Sequence, residues 1–156
     1  MPDLPPYTYV PGVMPHPISD PNGHMYKNSG MPAHWSQQQV FDWGVQLFNA
    51  GYYWESHEAW EHLWIELGRT TTEARAVQGL IKLAACGVKC LEGNATGAGR
   101  HAGRAVELLA NECDAELFGN STLRHAREIA STALQSPSVL KATSDGAPIV
   151  LTGFQL

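Results

Sequence analysis

Histidine and glutamate residues alternate with aromatic residues in one short stretch, YYWESHEAWEHLW, which covers residues 52–64. Within it, His57, Glu58 and Glu61 fall close enough along the chain to meet on one side of a helix. Imidazole together with carboxylates suits iron, manganese or zinc, whereas two neighbouring carboxylates suit an acid–base pair. Three interpretations are open: a divalent-metal site, a small-ligand site with enzymatic activity, and a structural polar network.

Helical geometry predicts which of these side chains face the protein interior. At about 100° per residue, His57 and Glu61 fall inside the apolar stripe, and Glu58 lies at its edge. The stripe itself comprises Tyr53, Trp54, Trp60, Trp64, Ile65 and Leu67. The other polar side chains fall on the opposite face, which we predict to be exposed to solvent: Glu55, His62 and Glu66.

A carboxylate inside an apolar face needs a partner, because burying an unpaired charge costs several kcal/mol or more. Gln78 and Arg104 border the inward faces of two other predicted helices and are candidates to pair with Glu61. We therefore predict a buried polar cluster made of His57, Glu58, Glu61, Gln78 and Arg104. A structural or protein-interaction role for this cluster is the interpretation that we favour.

A divalent-metal site is the main alternative. Its predicted ligands are His57, Glu61 and His101, with His16 or His24 as further imidazole donors. The order His-Glu-x-x-Glu occurs once, unlike the repeated Glu-x-x-His pairs of di-iron bundles, and the second histidine of the zinc-protease motif is missing. The same residues could instead bind a small ligand, and an enzymatic role stays open.

Five helices are predicted from capping signals and apolar periodicity, so the predicted fold is an all-α antiparallel bundle. Ser36 with Gln39, and Thr70 with Glu73, have the form of capping boxes. The predicted helices run from about 37 to 49, from about 53 to 67, from the Thr70 cap through Leu91, from the Asn94 cap to near 111, and from the Ser121 cap to near 134.

The segments outside the helices differ in composition from the bundle. Eight of the ten prolines fall within residues 1–32, so we predict that residues 1–34 form an extended proline-rich arm. Its tyrosines and histidines indicate that it packs on the body of the protein. Residues 35–135 form the predicted bundle domain, and residues 136–156 an irregular tail in which APIVLTGF is the one weak strand signal.

The composition of the chain argues against some classes of binding partner. The 156 residues carry a formal net charge of -5, which argues against nucleic acid and anionic membranes. No signal peptide or membrane-spanning run is found, and the three cysteines suggest no disulfide framework, because Cys86 and Cys90 lie one helical turn apart. We predict a soluble cytoplasmic protein, with a small ligand or a homo-oligomer left open as partners.

Several motifs together resemble the domain-of-unknown-function 309 family over about residues 40–110. That family combines an asparagine-glycine turn, a Tyr-x-Glu-x-His-Glu-x-x-Glu helix, a Gln-Gly-Leu-Ile helix and a Gly-Asn-x-x-Gly-Ala turn. The matching positions are Asn49, Gly51, Tyr53, Glu55, His57, Glu58, Glu61, residues 78–81, Gly93, Asn94, Gly97 and Ala98. The resemblance implies a small all-helical bundle and no established activity. His101 departs from the pattern, where the family usually has an apolar residue.

Overall fold

The computed structural model describes residues 2–27, 31–111, 113, 115–119, 121–140, 142 and 144–156. These residues form five α-helices and no β-strand, which confirms the all-α fold. A short 3₁₀ helix, Glu116–Phe118, precedes the last of them. The α-helices are α1 (Gln37–Asn49), α2 (Tyr53–Glu66), α3 (Thr72–Leu91), α4 (Ala95–Leu108) and α5 (Thr122–Gln135).

Helix α3 lies at the centre of the bundle. It packs against α2 and α4, and more lightly against α5, while α1 packs on α2. Its apolar residues repeat at helical spacing and are almost all buried, as the sequence pattern predicts. Two of its buried residues are Cys86 and Cys90. A hydrogen bond between their thiols and the burial of the side chain both raise the pKa of Cys86. The same hydrogen bond lowers the pKa of Cys90, and both cysteines are buried in the core.

Local capping chemistry sets most of the helix boundaries. The capping box of Ser36 and Gln39 is present with both of its hydrogen bonds at the start of α1. At the start of α4, the Asn94 side chain accepts a hydrogen bond of 2.8 Å from the Gly97 amide. Helix α1 ends just before Gly51, whose φ of 86° is a conformation that suits glycine.

The start of α3 differs from the prediction by one residue. Thr71, not Thr70, is its N-cap, and the Thr71 hydroxyl accepts a 3.1 Å hydrogen bond from Ala74 and donates one of 2.8 Å to the Leu67 carbonyl. The turn after α2 passes through Arg69 at a φ of 66°, which moves the cap one residue along the chain. The sequence alone does not show which of the adjacent residues Thr70 and Thr71 is the N-cap, because both precede the helix.

This difference gives a direct test of the cap. We expect Thr71→Ala to lower the free energy of unfolding by about 1 kcal/mol, because the Ala74 amide loses its acceptor. The matched control, Thr70→Ala, removes only a 3.5 Å contact to the Gly68 carbonyl and should cost less than about 0.5 kcal/mol. Urea denaturation of both variants measures the difference. Equal losses would show that Thr71 is not the cap.

One other boundary and one cap differ from the prediction. Helix α4 ends at Leu108, earlier than predicted, and Ser121 precedes α5 without a capping hydrogen bond from its side chain. Within residues 144–156, the stretch APIVLTGF forms no strand.

Among the described helices, none has the combination of length and apolar character needed to cross a membrane.

Candidate functional site

The buried face of α2 is rotated about the helix axis from the predicted one. Its interior side chains include Ser56 and Ala59, both fully buried. Ser56 donates a 2.8 Å hydrogen bond to the Gly44 carbonyl of α1. Small residues lie here because the α1 backbone approaches closely. The larger Trp54 is only partly buried, and Ile65 is 48% exposed. A prediction that weights side chains by hydrophobicity therefore misplaces the helix face.

The prediction that Glu55 faces solvent is wrong. Glu55 is only 4% exposed, and its carboxylate accepts three hydrogen bonds. They come from the Thr8 hydroxyl at 2.8 Å, the Tyr9 amide at 3.1 Å and the His24 Nε2 at 2.9 Å. The residues that cover Glu55 all belong to the N-terminal segment, residues 2–27. The helical pattern of α2 does not predict these hydrogen bonds, because the donor residues lie about 30 to 47 positions before Glu55 in the sequence.

The other residues of the N-terminal segment hold His24 in place. The Tyr7 hydroxyl accepts a hydrogen bond from the His24 amide and donates one to the Pro15 carbonyl. The Tyr7 ring also meets the His24 ring edge-on, with centroids 4.5 Å apart. Burial raises the pKa of Tyr7, so its hydroxyl keeps its proton at neutral pH. His24 is thus a partner of Glu55 within a closed hydrogen-bond network.

The second imidazole of the N-terminal segment is also engaged locally. The His16 Nδ1 accepts hydrogen bonds from the amides of Ile18 and Ser19, both at 3.2 Å. Its ring packs edge-on against Tyr9 and Trp54. Neither His16 nor His24 belongs to a cluster of metal-ligating side chains within the described part of the chain.

The C-terminal segment, residues 144–156, is attached to the same region of the bundle. The Leu151 amide donates a 2.9 Å hydrogen bond to the buried Tyr53 hydroxyl, and burial raises the pKa of that phenol. The Asn49 side chain bonds both the amide and the carbonyl of Leu156, at 2.8 and 3.1 Å. At Gly51, a Cβ would lie 2.7 Å from the Ile149 carbonyl oxygen. The α1–α2 turn therefore holds both terminal segments.

His57, Glu58 and Glu61 do come together, on the outer side of α2. The His57 Nδ1 lies 3.3 Å from a Glu58 oxygen and 3.7 Å from a Glu61 oxygen, and one donor atom from each residue fits within 4.8 Å. Their side chains are 29%, 27% and 46% exposed, so the prediction that the cluster is buried is wrong. The His57 Nδ1 atom is itself buried, yet it makes no hydrogen bond: the Glu61 oxygen is too far away, and the approach of Glu58 does not form one.

The remaining predicted site residues are Gln78, Arg104 and His101. Arg104 donates a 2.8 Å hydrogen bond to Glu107 on its own helix, at the solvent-exposed surface. Gln78 is half-buried on α3. His101 is also half-buried, and burial lowers its pKa, with further lowering by Lys82, Lys89 and His57. His101 of α4 is thus close enough to His57 for the charges of the two imidazoles to interact.

Residues 41–101 match the family model described as Domain of unknown function (DUF309). These residues are therefore similar to the DUF309 family. The predicted resemblance is confirmed over this range, which extends from within α1 to the middle of α4 and includes Glu55, His57, Glu58 and Glu61. No curated protein and no solved structure matches the chain.

The residues that resemble the DUF309 motif fall into two groups with different surroundings. Asn49, Gly51, Tyr53 and Glu55 contact the terminal segments. His57, Glu58 and Glu61 form the partly exposed cluster. Sequence reasoning missed the first half, although one signal was available: a histidine in a proline-rich segment with aromatic neighbours indicates an ordered environment that has polar partners.

Proposed function

We propose that the DUF309 domain binds a divalent transition-metal ion at His57, Glu58 and Glu61. The observation that carries the proposal is the convergence of one donor atom from each residue within 4.8 Å. Ligand atoms that share a first-row metal ion at about 2.0–2.2 Å lie roughly 3–4.4 Å apart, so small side-chain rotations close the site. The His57 Nδ1 atom supports this use, since it is buried, faces both carboxylates and lacks a hydrogen bond.

The donor set indicates the class of metal. One imidazole and two carboxylates are ligands of intermediate to hard character, which suits Mn²⁺, Fe²⁺ or Zn²⁺. Three protein ligands leave coordination positions free for water or another molecule, as in catalytic sites and unlike closed structural sites. The three side chains are 27% to 46% exposed, so water screens the attraction between the carboxylates and the ion. We therefore expect binding of moderate affinity.

The structural-network interpretation finds better support at Glu55 than at Glu61. Glu55 is buried and fully hydrogen-bonded, which is the pattern of a carboxylate that fixes packing. Glu61 is nearly half exposed, and its 3.7 Å approach to His57 lies within its own helix. A structural function for the first half of the motif and a binding function for the second half account for both environments.

Isothermal titration calorimetry on protein freed of metal by a chelator tests the proposal. We expect Zn²⁺, Mn²⁺ or Fe²⁺ to bind one per chain with a dissociation constant in the micromolar range. The variants His57→Ala and Glu61→Gln should each weaken binding by about tenfold or more, because each removes one ligand. Both side chains are partly exposed, so both variants should keep the fold.

The chain provides a matched control on the same helix. His62 and Glu66 form an i,i+4 pair with 3.3 Å between nitrogen and oxygen and similar exposure, but without a second carboxylate. We expect His62→Ala and Glu66→Gln to leave the affinity unchanged. The proposal fails if none of the three metals binds, or if the His62 variant loses as much affinity as the His57 variant.

A further inference from the structure

A cavity of about 600 Å³ lies between the N-terminal segment and the first two helices. Its walls include Trp43 of α1, Trp35 just before that helix, and Glu55 and Glu58 of α2. Small-molecule sites in proteins typically have volumes of about 300–1,000 Å³ and combine apolar walls with a few polar groups. We call this space the tryptophan cavity.

The charges around the tryptophan cavity have one sign. Carboxylates of Asp3, Glu55 and Glu58 line it, and no lysine or arginine of the described residues does. Glu55 already accepts three hydrogen bonds, including one from the cavity-lining His24. Glu58 is 27% exposed, and among the described residues its one close polar contact is the 3.3 Å approach of His57, which is not a hydrogen bond. Glu58 can therefore accept hydrogen bonds from a cation in the cavity.

The apolar walls of the cavity favour a cation that carries an apolar organic group. The rings of Trp35 and Trp43 pack edge-to-face, with centroids 6.3 Å apart, and both side chains line the cavity. Indole is the strongest of the side-chain partners for cation–π contact. The thioethers of Met25 and Met31 and the side chain of Leu47 provide further apolar contact.

We propose that the tryptophan cavity binds a small organic ammonium ion. The ammonium group hydrogen-bonds the Glu58 carboxylate beside the indole rings, and the apolar body contacts the methionine and proline side chains. Charge complementarity decides the class: an organic anion meets three carboxylates, and a neutral molecule leaves Glu58 without a counter-ion. This site shares Glu58 with the proposed metal site but does not include His57 or Glu61.

Three probes of similar shape and different charge test the proposal on the full chain. They are 2-phenylethylammonium, 2-phenylethanol and phenylacetate, each titrated by calorimetry in buffer containing a chelator. We expect the ammonium to bind at least about tenfold more tightly than the alcohol, because a charge-assisted hydrogen bond and cation–π contact are added. Phenylacetate should not bind. Equal binding of the three probes, or binding of none, would overturn the proposal.

Two variants examine the assigned roles. Glu58→Gln should weaken 2-phenylethylammonium by about tenfold and leave 2-phenylethanol unchanged, because only the ammonium uses the charge. Trp35→Leu should weaken both probes, and it remains informative if the Glu58 variant fails to fold. Glu66→Gln removes a carboxylate of the same helix outside the cavity and should bind all probes as the unmodified chain does. Unchanged ammonium binding by Glu58→Gln would contradict the proposal.

One further variant separates this proposal from the metal site. His57→Ala removes a proposed metal ligand that does not line the tryptophan cavity. We expect it to lose metal affinity and to keep the preference for 2-phenylethylammonium. If metal fails to bind the unmodified chain but the ammonium preference is present, only the metal proposal is lost. If His57→Ala abolishes the ammonium preference, the cavity is not an independent site and the inference fails.

Discussion

Replacing Glu55 by alanine is expected to lower the free energy of unfolding by about 3 kcal/mol or more. Glu55 and His24 are both 3% exposed at their side chains, so the variant leaves a buried imidazole without its partner. The Thr8 hydroxyl and the Tyr9 amide also lose their acceptor. Urea denaturation followed by circular dichroism measures the loss. No other single carboxylate of α2 should approach this value.

The same variant should loosen the N-terminal segment before it unfolds the bundle. All three donors to Glu55 lie in residues 2–27, whereas the helices keep their mutual contacts. Limited proteolysis is therefore expected to cut this segment faster in Glu55→Ala than in the unmodified chain. Glu66→Ala is the matched control, because that side chain is 40% exposed and forms only a surface pair with His62. A loss below about 1 kcal/mol for Glu55→Ala would show that the buried network does not stabilise the fold.

The helices could be predicted because the signals that define them are local. The hydroxyl of Ser36 and the amide of Asn94 each bond a backbone group three residues away, so the sequence contains both partners. The choice between Thr70 and Thr71 was wrong because it depends on the turn at Arg69, whose backbone conformation is not specified by residue type. Existence of each helix was thus predictable, while a boundary within a run of threonines was not.

The rotation of α2 about its axis could not be predicted in the same way. Which face is buried depends on what covers it, and residues 2–27 cover Glu55 from a distant part of the chain. Large aromatic residues also mislead, since Trp54 lies at the rim, against Tyr9 and His16. Clustering of His57 with Glu61 was predictable, because residues four apart lie on the same side of a helix whatever its rotation, and Glu58 lies three residues before Glu61. Pairing with Arg104 required the relative rotation of two helices, and Arg104 bonds Glu107 instead.

Replacing Gly44 by alanine is expected to lower the free energy of unfolding by about 3 kcal/mol. A Cβ at this position of α1 would overlap the indole ring of Trp60. That ring cannot easily move, because it is fully buried beside Phe41 and Phe48 and its Nε1 donates a 3.3 Å hydrogen bond to the Phe41 carbonyl. Relief of the overlap requires α1 and α2 to separate. Separation would also lengthen the hydrogen bond from Ser56 to the Gly44 carbonyl.

Gly99 provides the control for this substitution, because it lies within α4 and a Cβ there would meet no atom within 4 Å. Gly99→Ala should therefore raise the free energy of unfolding by about 0.5–1 kcal/mol, since alanine favours the helix. Urea denaturation of the two variants gives opposite shifts of the midpoint. If Gly44→Ala also stabilises the protein, α1 and α2 do not approach as closely as the Gly44–Trp60 contact requires. The small residues on the inner face of α2 would then need a different explanation, because a close approach of α1 is what allows Ser56 and Ala59 to be fully buried while Trp54 lies at the rim.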